Sequence, residues 1–340
     1  MTQRHIKPAY AKIDAAHVLD GLFVPTSGKK REKLFVPLRK FGNCKIGFQG
    51  FDQLGAFDQS ILLAVSAQLG IDGLRIEAKP KGPISQQLRK DIYKPNKAED
   101  DGSDLRTKKT SLRSLLLDAG SKDIEGGHAL QLVKDSLNRL SNAQIREIGS
   151  DGWDRRCNLL SVSFNEKTGE VFVAANPRLS QAVFRGQHVK VSLFERNLLN
   201  SQAAKILHCW LSSNIRLGKT LGNGNGAQLD TLLPHVWGIE SMEKASAKVK
   251  STRRSQLRDA LNEIESATKR LGIPWVVDQT SNGLVSVSRP KELCIEDRNF
   301  DTPHELEELY EEMRELEAEA DDQPDDWVSP PIEDWYSGRL

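Results

Sequence analysis

Between residues 251 and 271 the sequence has a periodicity that one backbone conformation satisfies. Ala260, Leu261, Ile264 and Leu271 stand three, four, seven and fourteen residues after Leu257, so a helix gathers all five on one stripe. Ser251, Thr252, Ser255, Arg258 and Asn262 then fall on or near the opposite side, with Arg254 at its edge. Beyond this helix, residues 275–280 and 284–288 read as strands around Ser281, Asn282 and Gly283, and Asn-Gly supplies the positive φ angles that a tight hairpin needs. Ahead of it, residues 201–212 are apolar at Ala204, Leu207, Cys209 and Leu211, and residues 229–237 form a shorter helical run. Helix, short helix, basic helix and hairpin is the order of a winged-helix domain.

The first half repeats that order without obvious sequence identity. Short strands are expected at 33–37 and 45–48, and a helix at 56–69 with Ile61, Leu62, Val65 and Leu69 on one face. Residues 79–104, polar and rich in Lys and Pro, are expected to form a long loop. Helices follow at 111–119 and 128–140, then strands at 144–148, 159–164 and 171–175, the last two joined by a Glu-Lys-Thr-Gly turn. The expected fold is α+β, with two tandem winged-helix domains at 21–187 and 188–293. A flexible arm at 1–20 precedes them and an acidic, helical C-terminal extension at 294–340 follows.

Composition supports a polyanion partner once the charge is divided. The whole chain carries +1, but residues 295–340 hold 17 acidic and three basic side chains, a net of −14. The first 294 residues hold 45 basic and 30 acidic groups, a net of +15. Such a body attracts nucleic acid, because each phosphate neutralised by Lys or Arg releases condensed counterions. The four cysteines form no CxxC pair, no leader-like apolar segment opens the chain and no apolar run approaches about 20 residues. A reduced, cytoplasmic chain with no membrane partner, no structural metal and no cofactor is expected.

Double-stranded DNA is the expected ligand of the 251–271 helix. Recognition helices read base edges from their N-terminal turns, where Arg binds guanine bidentately and Ser or Thr meets either base. Ser251, Thr252, Arg254, Ser255, Arg258 and Asn262 are the candidate readers; Arg253, nearer the apolar side, is assigned to phosphate, and Lys248 and Lys250 to the DNA backbone. The alternative is a solvated charged helix. In the first half, Lys134 is the one cation offered by the exposed face of 128–140, and Lys108, Lys109, Thr110, Ser111 and Arg113 lie at the start of a helix, a site suited to phosphate. A plain exposed cap is the competing reading there. Lys29, Lys30, Arg31 and Lys33 form either an arm on the phosphates or a soluble turn.

The residues resemble the iteron-binding replication initiator C proteins of IncQ-type broad-host-range plasmids. The resemblance runs collinearly through GLF at 21–23, KKREKL at 29–34, LGAFD at 54–58, VFVAANP at 171–177, QAV at 181–183 and GQHVKVS at 186–192. It continues through AAKIL at 203–207, GKT at 218–220, DTL at 230–232, VW at 236–237, RR at 253–254, RDAL at 258–261 and SRP at 288–290. It implies a non-enzymatic initiator that binds directly repeated origin sequences (iterons), helps open an AT-rich segment and recruits a plasmid-encoded helicase, with a primase as a further candidate partner. It also implies a role in plasmid copy number and a homodimer as a second form, paired through the N-terminal winged helix. The acidic extension and the stretch around 94–104 depart from the family pattern.

A transcriptional repressor built on the same domains is the first rival, and a nucleic-acid enzyme such as a primase or nickase the second. The GKT at 218–220 lacks the earlier glycine of a phosphate-binding loop, since Ser213 stands there, and no strand precedes it. The seven histidines form no HxH or HExxH pair, and His208 reads as a packed core residue. In the extension, Thr302, Pro303 and Glu305 start a helix with Leu306, Leu309, Met313 and Leu316 on one stripe. That segment reads as a docking peptide, a strip that covers the basic face, or a solvated tail.

Overall fold

A computed structural model of the chain describes residues 8–27, 30–95, 100–121, 126–184, 188–271, 275–280 and 283–290. The extension at 294–340 and the hairpin tip Ser281 and Asn282 lie outside the described residues. The chain divides into two compact units between Leu193 and Phe194.

The first unit contains β1 (Tyr10–Ile13), β2 (Leu34–Phe41), β3 (Cys44–Gly50), α1 (Ala56–Asp72), β4 (Leu74–Ile76), α2 (Pro83–Tyr93), β5 (Leu105–Ser111), α3 (Leu112–Asp118) and α4 (Gly127–Asn142). It continues with β6 (Gln144–Ile148), β7 (Asp154–Asn158), β8 (Leu160–Asn165), β9 (Glu170–Ala175), α5 (Pro177–Phe184) and β10 (Val189–Ser192). One sheet has the order β2-β3-β6-β7, a second β4-β5-β9-β8, and β1 pairs with β10. Helix α1 is buried almost all round, so its polar residues need internal partners. Asp58, fully buried, accepts from the Gly55 amide at 2.8 Å and pairs with Arg31 at 2.6 Å and Arg139 at 2.8 Å.

Four expectations are corrected here. The arm at 1–20 is, from Tyr10, a strand and a short 3-10 helix with Ala11, Ile13 and Ala16 buried, because β1 completes a sheet with β10. That pairing also places Val189–Ser192 in the first unit rather than at the start of the second. The expected loop at 79–104 holds α2, whose Leu88, Ile92 and Tyr93 pack on Ile76, Leu105 and Ala174. Pro83 reads as a breaker in sequence, yet it occupies the first turn, where a missing N–H costs nothing. Lys108 to Ser111 lead into α3 as expected, with Ser111 as its cap, but they do so as a strand paired along β9 rather than as free helix-start residues.

The second unit contains α6 (Leu193–Leu198), α7 (Gln202–Asn214), β11 (Lys219–Thr220), β12 (Ala227–Gln228), α8 (Leu229–Trp237), α9 (Ile239–Glu243), α10 (Ala247–Lys269), β13 (Val276–Gln279) and β14 (Leu284–Arg289). Its core joins Leu207, Leu211, Leu232, Val236, Leu257, Leu261, Ile264 and Trp275. In the first unit α1 is followed by β4, α2, β5, α3 and α4 and, after β6 and β7, by the β8–β9 hairpin; in the second α7 is followed by β11, β12, α8, α9 and α10 and then by the β13–β14 hairpin. In both, the early strand pairs with the hairpin's second strand: β5 with β9, and β11 and β12 with β14. Among the described residues no helix is long and apolar enough to cross a membrane.

Candidate nucleic-acid interface

Helix α10 is capped by Ser246, whose hydroxyl accepts from the Val249 amide at 3.4 Å. Its first buried residue is Leu257, so the turns before it bury no apolar side chain of their own while the C-terminal half is anchored by Leu257, Ala260, Leu261 and Ile264. Leu271, expected on the buried stripe, is only half-buried because the helix has ended. Lys248, Ser251, Thr252, Ser255, Arg258 and Asn262 are exposed, and Lys250, Arg253 and Arg254 are half-buried. Among the described residues no hydrogen bond or ion pair holds Arg258. The Thr252 hydroxyl donates back to the Lys248 carbonyl at 3.1 Å, and Asn262 accepts from Gln279 of β13 at 3.1 Å, which links the helix to the hairpin.

The two adjacent arginines diverge. Arg253 turns toward α8 and α9, where Nη1 donates to the Ser241 carbonyl at 3.3 Å and hydroxyl at 3.1 Å, and its guanidinium lies 5.7 Å from the centre of the Trp237 ring. Burial lowers its pKa. The phosphate role expected of Arg253 competes with this internal one. Arg253→Ala is expected to lower stability by roughly 0.5–1 kcal/mol, a cation–π contact at a partly exposed site, and to leave the salt dependence of DNA binding unchanged. A salt slope reduced by about one would restore the phosphate contact. Arg254 instead meets Asp230 at the start of α8, with Nε to Oδ1 at 2.5 Å and Nη2 to Oδ2 at 2.6 Å.

The first unit's candidates are largely occupied by carboxylates. Lys108 pairs with Asp72; Lys109 pairs with Glu170 at 2.5 Å, and Lys134 with Glu166 at 2.6 Å while lying 5.2 Å from the Phe164 ring. Ser111 caps α3 by accepting from Ser114 at 3.1 Å, Thr110 sits in β5 opposite Val171, and Arg113 is exposed. Arg31 does not reach outward as an arm; it donates to the Gln53 carbonyl at 2.8 Å and to Asp58. Lys30 is exposed, as is Lys33, and Lys29 lies outside the described residues.

The sequence reading missed the polar centre on which the second unit is built. Glu195, 2% exposed, accepts from His208 Nε2 at 2.7 Å, from Trp275 Nε1 at 2.8 Å and from Arg289 Nη2 at 2.6 Å. Burial alone would raise its carboxyl, but Arg289, His208 and Trp275 together hold it at about 2. Burial pushes His208 down, so a neutral imidazole donates here. The expected core histidine is thus a hydrogen-bonded one. Lys219 and Thr220 of the GKT run pair with Arg289 and Ser288 as β11.

Comparison with known proteins gives a family match and a structural likeness. The family model for replication protein C (RepC) matches residues 6–291. Among solved structures, the chain is similar to selenomethionine derivatives of domains 2 and 3 of RctB, with 11% identity over 78% of this chain and 93% of that one and a TM-score of 0.40. No curated protein matches the sequence.

Proposed function

Because the chain belongs to the replication protein C family, whose model spans residues 6–291, we propose that it initiates plasmid replication by binding directly repeated origin sequences through two winged helices. The supporting observation is the projecting half of α10, which carries Lys248, Lys250, Arg254 and Arg258 among Ser251, Thr252 and Ser255, beside the β13–β14 hairpin. A major groove admits one helix, and these side chains offer base-edge donors flanked by phosphate-seeking cations. The matching pairing of strand and hairpin in both units supports the tandem arrangement. Origin opening and recruitment of a replicative helicase follow in this reading; no catalytic step is assigned to the chain.

Footprinting with the purified protein on its plasmid DNA tests the proposal. Protection of regularly spaced direct repeats is expected, with log K falling linearly against log salt at about 0.9 per phosphate neutralised. Protection confined to a promoter, with replication intact when the gene is deleted, would replace it with a repressor. Strand cleavage or nucleotide incorporation by the pure protein would replace it with an enzyme.

A further inference from the structure

We infer that Asp230 is a specificity-determining residue that fixes Arg254 as a reader of guanine, an inference resting on the proposal that α10 contacts bases. A guanidinium has five N–H donors around a rigid plane. Asp230 engages the side edge of Arg254, taking the Nε proton and one Nη2 proton in two roughly parallel bonds. The terminal edge remains, with one proton from each Nη directed outward as a parallel pair. Guanine presents two acceptors, N7 and O6, to such a pair, whereas adenine presents one acceptor and one donor. A held fork therefore accepts guanine and leaves a donor opposed to a donor at adenine.

Geometry favours this role over that of a simple surface pair. Arg254 keeps 38% of its side chain exposed and Asp230 56%, and among the described residues no further hydrogen bond occupies the terminal edge of Arg254. Asp230 is the second residue of α8, where the helix dipole favours a carboxylate, and Arg254, Lys250 and Arg258 keep it ionised. Fixing the fork beforehand lowers the ordering cost that a free arginine meets on binding. A free arginine would also swing to neighbouring phosphates, which carry no sequence information. The carboxylate meanwhile repels the DNA backbone. Asp230 thus weakens binding to any DNA while strengthening the choice of one sequence.

The test uses the full-length protein and duplexes spanning one footprinted repeat, in which each G·C pair is replaced in turn by A·T, with an unrelated duplex of equal length at the same salt. Wild type is expected to lose roughly 10- to 100-fold at one guanine position in particular. Arg254→Ala should abolish that penalty at the same position. Asp230→Ala should reduce it to a few-fold while binding the unrelated duplex as tightly as wild type or more tightly, with Asp230→Asn intermediate because its carbonyl still accepts one bond. Retention of the full penalty in Asp230→Ala, or its loss at a position that Arg254→Ala does not affect, overturns the inference. Equal tightening on every duplex also overturns it, since that is the signature of plain repulsion. A wild-type protein that fails to distinguish the repeat from unrelated DNA overturns the initiator reading itself. Unchanged thermal unfolding of the variants is expected, the pair being an exposed one.

Discussion

Replacing Arg254 and Arg258 together by alanine is expected to weaken binding to the origin repeats by on the order of 100-fold or more, with binding to unrelated DNA reduced much less. A bidentate base contact contributes roughly tenfold or more of discrimination, and two such positions on one exposed helix face combine nearly additively when they share no partner. Here they share one neighbour, since Asp230 feels both charges, so the combined loss is expected to fall somewhat short of the product of the single losses. The fold should survive. Arg258 is exposed, and the helix is anchored by Leu257, Ala260, Leu261 and Ile264, none of which touches this face. Affinities measured at one salt concentration, with circular dichroism and urea unfolding as controls, decide the matter. Unchanged specific binding would remove α10 as the reading element.

Glu195→Ala is expected to destabilise the second unit by roughly 3–5 kcal/mol, the cost of breaking a buried ion pair and leaving one charge uncompensated. Arg289 would keep its buried guanidinium, 4% exposed, without the carboxylate, while His208 and Trp275 would each lose an acceptor. Glu195→Gln should cost less, because an amide oxygen still accepts one of the three bonds. The pH dependence follows from linkage. A carboxyl held at about 2 in the folded protein and near its ordinary 4.5 when unfolded binds fewer protons in the folded state. Its contribution is complete above about 4.5 and is lost as pH falls toward about 2. Unfolding followed by tryptophan fluorescence should show wild type losing stability across that window and Glu195→Ala losing less. DNA binding by the variant should fail only where the unit has unfolded, which separates a scaffold role from a reading role.

The projecting helix, its buried stripe and its partner hairpin were legible because each depends on neighbours within a few turns. Leu257, Ala260, Leu261 and Ile264 are buried as their spacing requires. Helix α2 was not legible, since its proline resembles a breaker and its apolar residues Leu88 and Ile92 make sense only beside Ile76 and Leu105. Strand β7 escaped notice for the opposite reason: Asp154, Arg155 and Arg156 show no alternation, and an edge strand can carry charge without burying an apolar face. The basic run at 108–111 illustrates a limit of counting charges. Its lysines are met by Asp72 and Glu170, which the sequence places elsewhere.

Sequence alone therefore determined that α1, α3, α4, α7, α8 and α10 become helices, which stripe α10 buries and where a polyanion would find excess positive charge. Tertiary structure decided which of those charges remain available. Arg253 and Arg254 are neighbours of the same type, yet one turns inward to Ser241 and Trp237 and the other is held at the surface by Asp230. Ser241 and Trp237 lie 12 and 16 residues from Arg253, Asp230 lies 24 from Arg254, and the partners of Glu195 lie 13, 80 and 94 residues away. Periodicity is set by backbone geometry within a few turns and can be read from the chain. Charge pairing acts through space across whatever distance in sequence the fold has closed, so it becomes visible only when the chain has folded.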